Sequence, residues 1–156
     1  MPRPIVKFAL DTSCLIPLLL EWHDFHLATR ADFDRRCSEG EIPVIPAPAL
    51  IECYSVITRL PPPLRASPEA ALEVMNEWFR DVEIFALAGH DTWNLLSAAT
   101  PASLSGGIIY DYSILQCALA AGATALVTWN EKDFRRMQVA GIAIEVPNAH
   151  RQVKKV

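Results

Sequence analysis

Asp11, Glu52, Asp111 and Asp133 are the side chains of this sequence whose types and positions could do chemistry. Asp11 ends an apolar run and begins D-T-S, and Glu52 stands among Leu50, Ile51, Cys53, Val56 and Ile57. Asp111 falls three, four and seven residues before Ile114, Leu115 and Ala118, which puts its carboxylate on or beside the apolar face of its own helix. A carboxylate held against a core must be hydrogen-bonded, paired, neutralised or bound to a cation, because desolvating it alone costs several kcal/mol. No basic residue is obviously aimed at the group, since Lys7 lies inside a strand and Lys132 beside Asp133. Divalent cations would relieve the repulsion among these acids. Oxygen-only ligands suit Mg²⁺ or Mn²⁺, which keep several waters and accept a phosphate oxygen. The chemistry they supply is activation of a water for in-line attack on a phosphodiester and stabilisation of the leaving oxygen. Thr12, Ser13 and Asn130 would then orient a carboxylate or a phosphate oxygen.

Each acid also has a plainer reading: Asp11 as a helix N-cap, Glu52 as compensation for a helix dipole. Other chemistries fit less well. There is no glycine-rich phosphate loop and no serine or cysteine nucleophile with a base, and His90 and His150 are isolated. His23 and His26, three apart, read as a surface pair rather than a zinc site for want of a third ligand.

These residues have to be positioned by elements that the pattern supplies. Ile5 to Leu10 reads as a buried strand leading into a helix through Leu20, and an acid at a strand's carboxyl end faces the ligand crevice of an open α/β sheet. Glu21 to Gly40 predicts a more exposed helix, with Trp22, Phe25, Leu27, Phe33 and Cys37 roughly at helical spacing. Val44 and Ile45 form a short strand, and P-A-P starts the Glu52 helix, which runs to Leu60 before three prolines. Ser67, Pro68 and Glu69 open a helix to about Arg80, with Ala71, Leu72, Met75 and Phe79 as its inner stripe. Val82 to Leu87 alternates as a strand, Asp91 to Ala99 is helical, and the Asp111 helix spans Ile108 to Ala121 with Gly122 as its stop. Strands at Ala125 to Thr128 and Ile142 to Val146 flank a short helix near Met137. Strands alternating with helices predict an α/β fold with a mostly parallel central sheet covered on both faces.

The length suits one domain, residues 1–147, followed by a solvated tail over 148–156. With 14 basic and 18 acidic residues the net charge is -4, which excludes a broad basic surface for duplex DNA and allows a local basic patch. The four cysteines form no C-x-x-C pair and read as free buried thiols, fitting a reducing, cytoplasmic setting. No basic-then-apolar leader opens the chain. The uncharged run from Tyr112 to Asn130 reads as a buried helix and strand, not a membrane span.

The L-D-T-S opening, the P-A-L-I-E helix, the I-I-Y-D-Y-S helix and the T-W-N-E-K-D-F turn, in this order and nearly end to end, resemble a PIN-domain ribonuclease of the VapC toxin type. The resemblance implies a three-layer α/β/α domain and an endoribonuclease dependent on Mg²⁺ or Mn²⁺, often a homodimer, held inactive by a small antitoxin. It matches Asp11, Glu52 and Asp111 to the core metal-binding acids. Many relatives carry a fourth acid where this chain has Asn130, so either Asp133 takes that role or the site works with three acids and a polar helper. Arg59, Arg65, Lys132, Arg135 and Arg136 could flank the site and hold RNA backbone. The competing readings are a non-catalytic PIN-like module binding RNA or protein, and a phosphoacceptor receiver domain. The receiver would need paired acids after the first strand and a late lysine, which Thr12 and Asn130 do not supply.

Overall fold

A computed structural model describes residues 2–147. The predicted tail, with His150, lies outside the described residues. Five parallel strands, β1 (Lys7–Leu10), β2 (Ile42–Pro46), β3 (Glu83–Phe85), β4 (Ala125–Val127) and β5 (Ala143–Glu145), form one sheet in the order β3-β2-β1-β4-β5. Seven helices connect them: α1 (Thr12–Leu19), α2 (His26–Ser38), α3 (Ala47–Thr58), α4 (Pro68–Phe79), α5 (Gly89–Ala99), α6 (Ile108–Ala120) and α7 (Glu131–Arg136).

The strand order sets the layers. From β1 the chain steps outward through β2 to β3, then crosses back over β1 to β4 and β5. Right-handed crossovers in opposite directions put α1 to α4 on one face and α5 to α7 on the other, the α/β/α arrangement expected from the sequence. The sheet is wholly parallel, which explains why its central strands are continuous apolar runs: Phe8, Ala9, Leu10, Val44, Ile45, Leu126 and Val127 are all buried. The reversal of direction at β1 opens a crevice beyond the carboxyl ends of β1 and β4. Leu10 pairs with Val127 there, and the Asp11 amide donates to the Val127 carbonyl at 3.1 Å, so the next residues, Asp11 and Thr128, emerge side by side.

Several expectations need correction. Ile5 is exposed and precedes the strand, which starts only at Lys7. The second helix begins at His26, leaving Trp22 and Phe25 as exposed aromatics in the loop before it. Its inner stripe is polar, with His26, Thr29, Asp32 and Arg36 buried while Leu27 points to solvent. His26 is therefore neither a surface residue nor a metal ligand: its Nδ1 donates to the Pro17 carbonyl at 2.7 Å, tying α2 back to α1. Arg36 binds Asp32, Glu41 and Glu145, which joins α2 to the start of β2 and to the edge strand β5. In α4, Ala71, Met75 and Phe79 face the core, but Leu72 is 57% exposed, one position off the stripe. Cys37 is exposed, whereas Cys14, Cys53 and Cys117 are buried free thiols. No helix among the described residues is long and apolar enough to cross a membrane.

Candidate active site

Asp11 occupies the N-cap of α1 and is almost fully buried. Three donors converge on its Oδ2: the Ser13 hydroxyl at 2.7 Å, the Thr128 hydroxyl at 2.8 Å and the Ser13 amide at 3.4 Å. Each hydroxyl has a single hydrogen, spent on the carboxylate, so each must accept from elsewhere. Ser13 Oγ accepts from the Trp129 amide and Thr128 Oγ1 from the Asn130 amide, both at 2.9 Å. The turn after β4 is thus pinned to the acid that ends β1. Burial pushes the Asp11 carboxyl up, and the Ser13 and Thr128 hydroxyls pull it back down. Asp11 is the N-cap of α1, as one reading of the sequence expects, and the hydroxyls that meet it take Oδ2 and leave Oδ1 clear.

Thr12, the next residue, turns the other way. Its hydroxyl lies 3.1 Å from Glu52 Oε2 and 3.4 Å from the Ala49 carbonyl, which docks the start of α1 on α3. Glu52 itself is exposed. It belongs to a stripe of α3, Pro48, Ile51, Glu52 and Ser55, that lines a cavity of about 660 Å³. The facing stripe comes from α6, Gly107, Tyr110, Asp111 and Ile114. Both stripes follow the same i, i+3, i+4, i+7 spacing and carry their acid at the same place. Asn130 also lines the cavity, from the turn after β4.

The Asp111 carboxyl, partly buried, is pushed up to about 6 by burial first and then by the charges of Asp11, Glu52 and Asp133. Arg136 acts in the opposite direction. All four predicted acids therefore share one electrostatic neighbourhood, with Asp133 reaching it from the first turn of α7 rather than from the cavity wall. Asn130 lines the cavity, and Asp133 acts on Asp111 through its charge. Among the described residues none of the four acids is in an ion pair. Lys7 is turned away at the far end of β1, bonded to Glu83 at 2.8 Å.

The basic residues sort in the same way. Arg135 is held by Glu131 and the Ile144 carbonyl, and Arg65 bonds the Leu60 carbonyl, whereas Arg136 is the cation within electrical reach of Asp111. Thr128 was not singled out by sequence reasoning. Its signal is positional, a hydroxyl one residue past the β4 strand, and it becomes visible only once β4 is known to lie beside β1.

The donor set fits a hard divalent cation: carboxylate oxygens that are in no ion pair among the described residues, one of them with Oδ2 saturated and Oδ1 uncommitted to hydroxyls. Among the described residues no three acidic, histidine or cysteine side chains gather tightly enough to hold an ion by themselves.

Comparison with known proteins agrees with this geometry. The PIN domain family model matches residues 8–140. Ribonuclease VapC27 of Mycobacterium tuberculosis is 30% identical over 88% of this chain and 95% of its own length. Ribonuclease VapC40 of the same species is 32% identical over 76% of this chain and 83% of its own. The crystal structure of VapBC2 from Rickettsia felis bound to a promoter DNA fragment shares the fold, with a TM-score of 0.66 at 16% identity over 90% of this chain and 98% of that one. A family match covering most of the strands and every acid of the site, with relatives of this identity over most of their length, places the chain in the PIN domain family, among the VapC ribonucleases.

Proposed function

We propose that this chain is an endoribonuclease that hydrolyses RNA phosphodiesters with Mg²⁺ or Mn²⁺, with residues 1–147 as the nuclease domain. The observation that carries the reading is that Asp11, Glu52 and Asp133 all act electrostatically on Asp111, beside a cavity that Glu52 and Asp111 line, and that none of the four is in an ion pair among the described residues. A bound divalent cation would supply water activation and charge stabilisation at the scissile phosphate. Asp11 and Asp111 would hold it directly, and Glu52 and Asp133 would act directly or through its retained waters. Ser13 and Thr128 keep the Asp11 carboxylate in one orientation, and Thr12 does the same for Glu52. Asn130, on the cavity wall, is placed to donate to a phosphate oxygen, and Arg136 supplies positive charge beside the acids for the RNA backbone.

The names of the relatives extend the proposal to biology. VapC27 and VapC40 are named ribonucleases, and the Rickettsia protein was crystallised as a VapBC pair on DNA. By that likeness this chain is the toxin of a toxin-antitoxin pair, acting on RNA in the cytoplasm as a homodimer and silenced by a small antitoxin protein. The non-catalytic alternative is disfavoured because a binding module gains nothing from repelling carboxylates partly buried beside a core. Induction of the chain in a bacterial host tests the reading. Growth arrest with RNA fragmentation, both abolished by Asp111→Asn, supports it; arrest that persists with Asp111→Asn shows that hydrolysis at this site is not the cause.

A further inference from the structure

The cavity between α3 and α6 is larger than a phosphate and a hydrated cation require, and its rim is apolar. Ile51 is 71% exposed and Tyr110 69% exposed, and each immediately precedes the acid of its helix. Two large apolar side chains held in water at matching positions contribute nothing to the core. They flank the acids, so any phosphate held there has an apolar surface on either side.

Gly107 lines the same cavity from the start of α6. Its backbone is right-handed helical, φ -61 and ψ -28, a conformation every residue adopts, so the chain does not need glycine there. A Cβ at Gly107 would meet nothing within 4 Å. The missing side chain leaves room beside Tyr110, one helical turn further on.

We propose that this rim is a base-binding subsite, in which Tyr110 and Ile51 hold one unstacked nucleobase of single-stranded RNA next to the scissile phosphate. The proposal rests on the ribonuclease reading and names its substrate class. A base within a duplex is already stacked on its neighbours and cannot enter such a slot, whereas loops and single strands present free bases. Stacking on the Tyr110 ring supplies affinity without base choice. The Ser55 hydroxyl, which also lines the cavity, is able to read a base edge, and so is the Asn130 side-chain amide, whose second N–H and oxygen remain when one N–H meets a phosphate.

The test pairs protein variants with altered substrates. The full chain is assayed with Mg²⁺ or Mn²⁺ on a single-stranded RNA that it cleaves, and on the same RNA made abasic in turn at each residue beside the cut. Tyr110→Ala removes the stacking wall, Tyr110→Phe restores it, and Gly107→Leu fills the space; thermal melts confirm folding of each. The expected result is a roughly 10- to 100-fold loss of kcat/KM for the wild type at one abasic position. Tyr110→Ala and Gly107→Leu should lose a similar factor on intact RNA, with little further loss on abasic RNA, and Tyr110→Phe should behave as wild type. Additive losses mean that the base and Tyr110 do not meet, which overturns the subsite alone. Unchanged cleavage by Gly107→Leu coupled with loss of binding to a partner protein makes the cavity a protein's seat and also overturns it. A metal-loaded wild type that cleaves none of a set of single-stranded and loop RNAs removes the nuclease reading and the subsite together.

Discussion

Thr128 donates its hydroxyl hydrogen to Asp11 Oδ2 across 2.8 Å, linking the carboxyl ends of two neighbouring parallel strands through a buried hydrogen bond to a carboxylate. The Thr128 hydroxyl oxygen in turn accepts from the Asn130 backbone amide, so one side chain fixes both the acid and the turn that carries Asn130 into the cavity. Such bonds to a charged acceptor are among the stronger ones in a folded protein.

Replacing Thr128 with valine keeps the shape and removes both contacts. Unfolding in urea should show a loss of about 1.5–3 kcal/mol, the range for a hydrogen bond to a charged group. The Asp11 carboxyl, already raised by burial, rises further without its donor, so the acid limb of the pH-rate profile moves to higher pH. Thr128→Ser retains the hydroxyl and should restore the profile.

Asp111 makes the metal-free protein less stable as pH rises. Its folded-state pKa, about 6, lies above the ordinary 3.8, so the folded form binds its proton more tightly than the unfolded form. The stability associated with that proton is fully present below about 3.8 and is lost as pH rises through about 6. In chelator, Asp111→Asn should therefore melt higher than wild type above pH 6, by roughly 2–4 °C, with the gap closing toward pH 4. A gap that does not change with pH would show that the carboxylate's charge is not its source.

Divalent cation should reverse that order. Mg²⁺ or Mn²⁺ binds the folded acids and not the unfolded chain, so added metal raises the wild-type melting temperature by mass action. Asp111→Asn should respond far less. Melting curves against metal concentration read this without any RNA present.

Arg36 is the buried hub that ties Asp32, Glu41 and Glu145 together, and its guanidinium also lies 5.3 Å from the centre of the Phe8 ring. Arg36→Met removes the cation that Glu41 and Glu145 share and leaves Asp32 with Arg35, 2.7 Å away, and removing one partner of a buried ion pair costs about 3–5 kcal/mol. Urea midpoints should fall accordingly. Arg36→Lys should recover only part of the loss, because a point charge cannot reproduce a planar fork serving several carboxylates.

The acids were legible in the sequence because each breaks a local pattern: Asp11 stops a strand, and Asp111 interrupts an apolar helical stripe. The parallel sheet was legible for the same reason, from uncharged strands alternating with helices. What stayed hidden depends on long-range pairing. Thr128 lies 117 residues from Asp11, and only the β1–β4 register brings the two together. The polar stripe of α2 misled in a related way. Asp32 and Arg36 are buried because they satisfy one another and reach Glu145 on a distant strand, so hydrophobic spacing pointed to Leu27 instead. His26 looked like a surface residue for want of its partner, the Pro17 carbonyl, which lies in the last turn of α1 and so has no amide partner within that helix.

The most direct measurement is cleavage of an end-labelled single-stranded RNA by the purified chain, with Mg²⁺ or Mn²⁺, with chelator, and with Asp111→Asn in parallel, followed by analysis of the product ends. Water attacking the phosphorus in line leaves a 5′-phosphate and a free 3′-hydroxyl, and this account predicts those ends, a requirement for metal, and no cleavage by Asp111→Asn. Cleavage that survives chelator and Asp111→Asn, or that leaves a 2′,3′-cyclic phosphate, would contradict it.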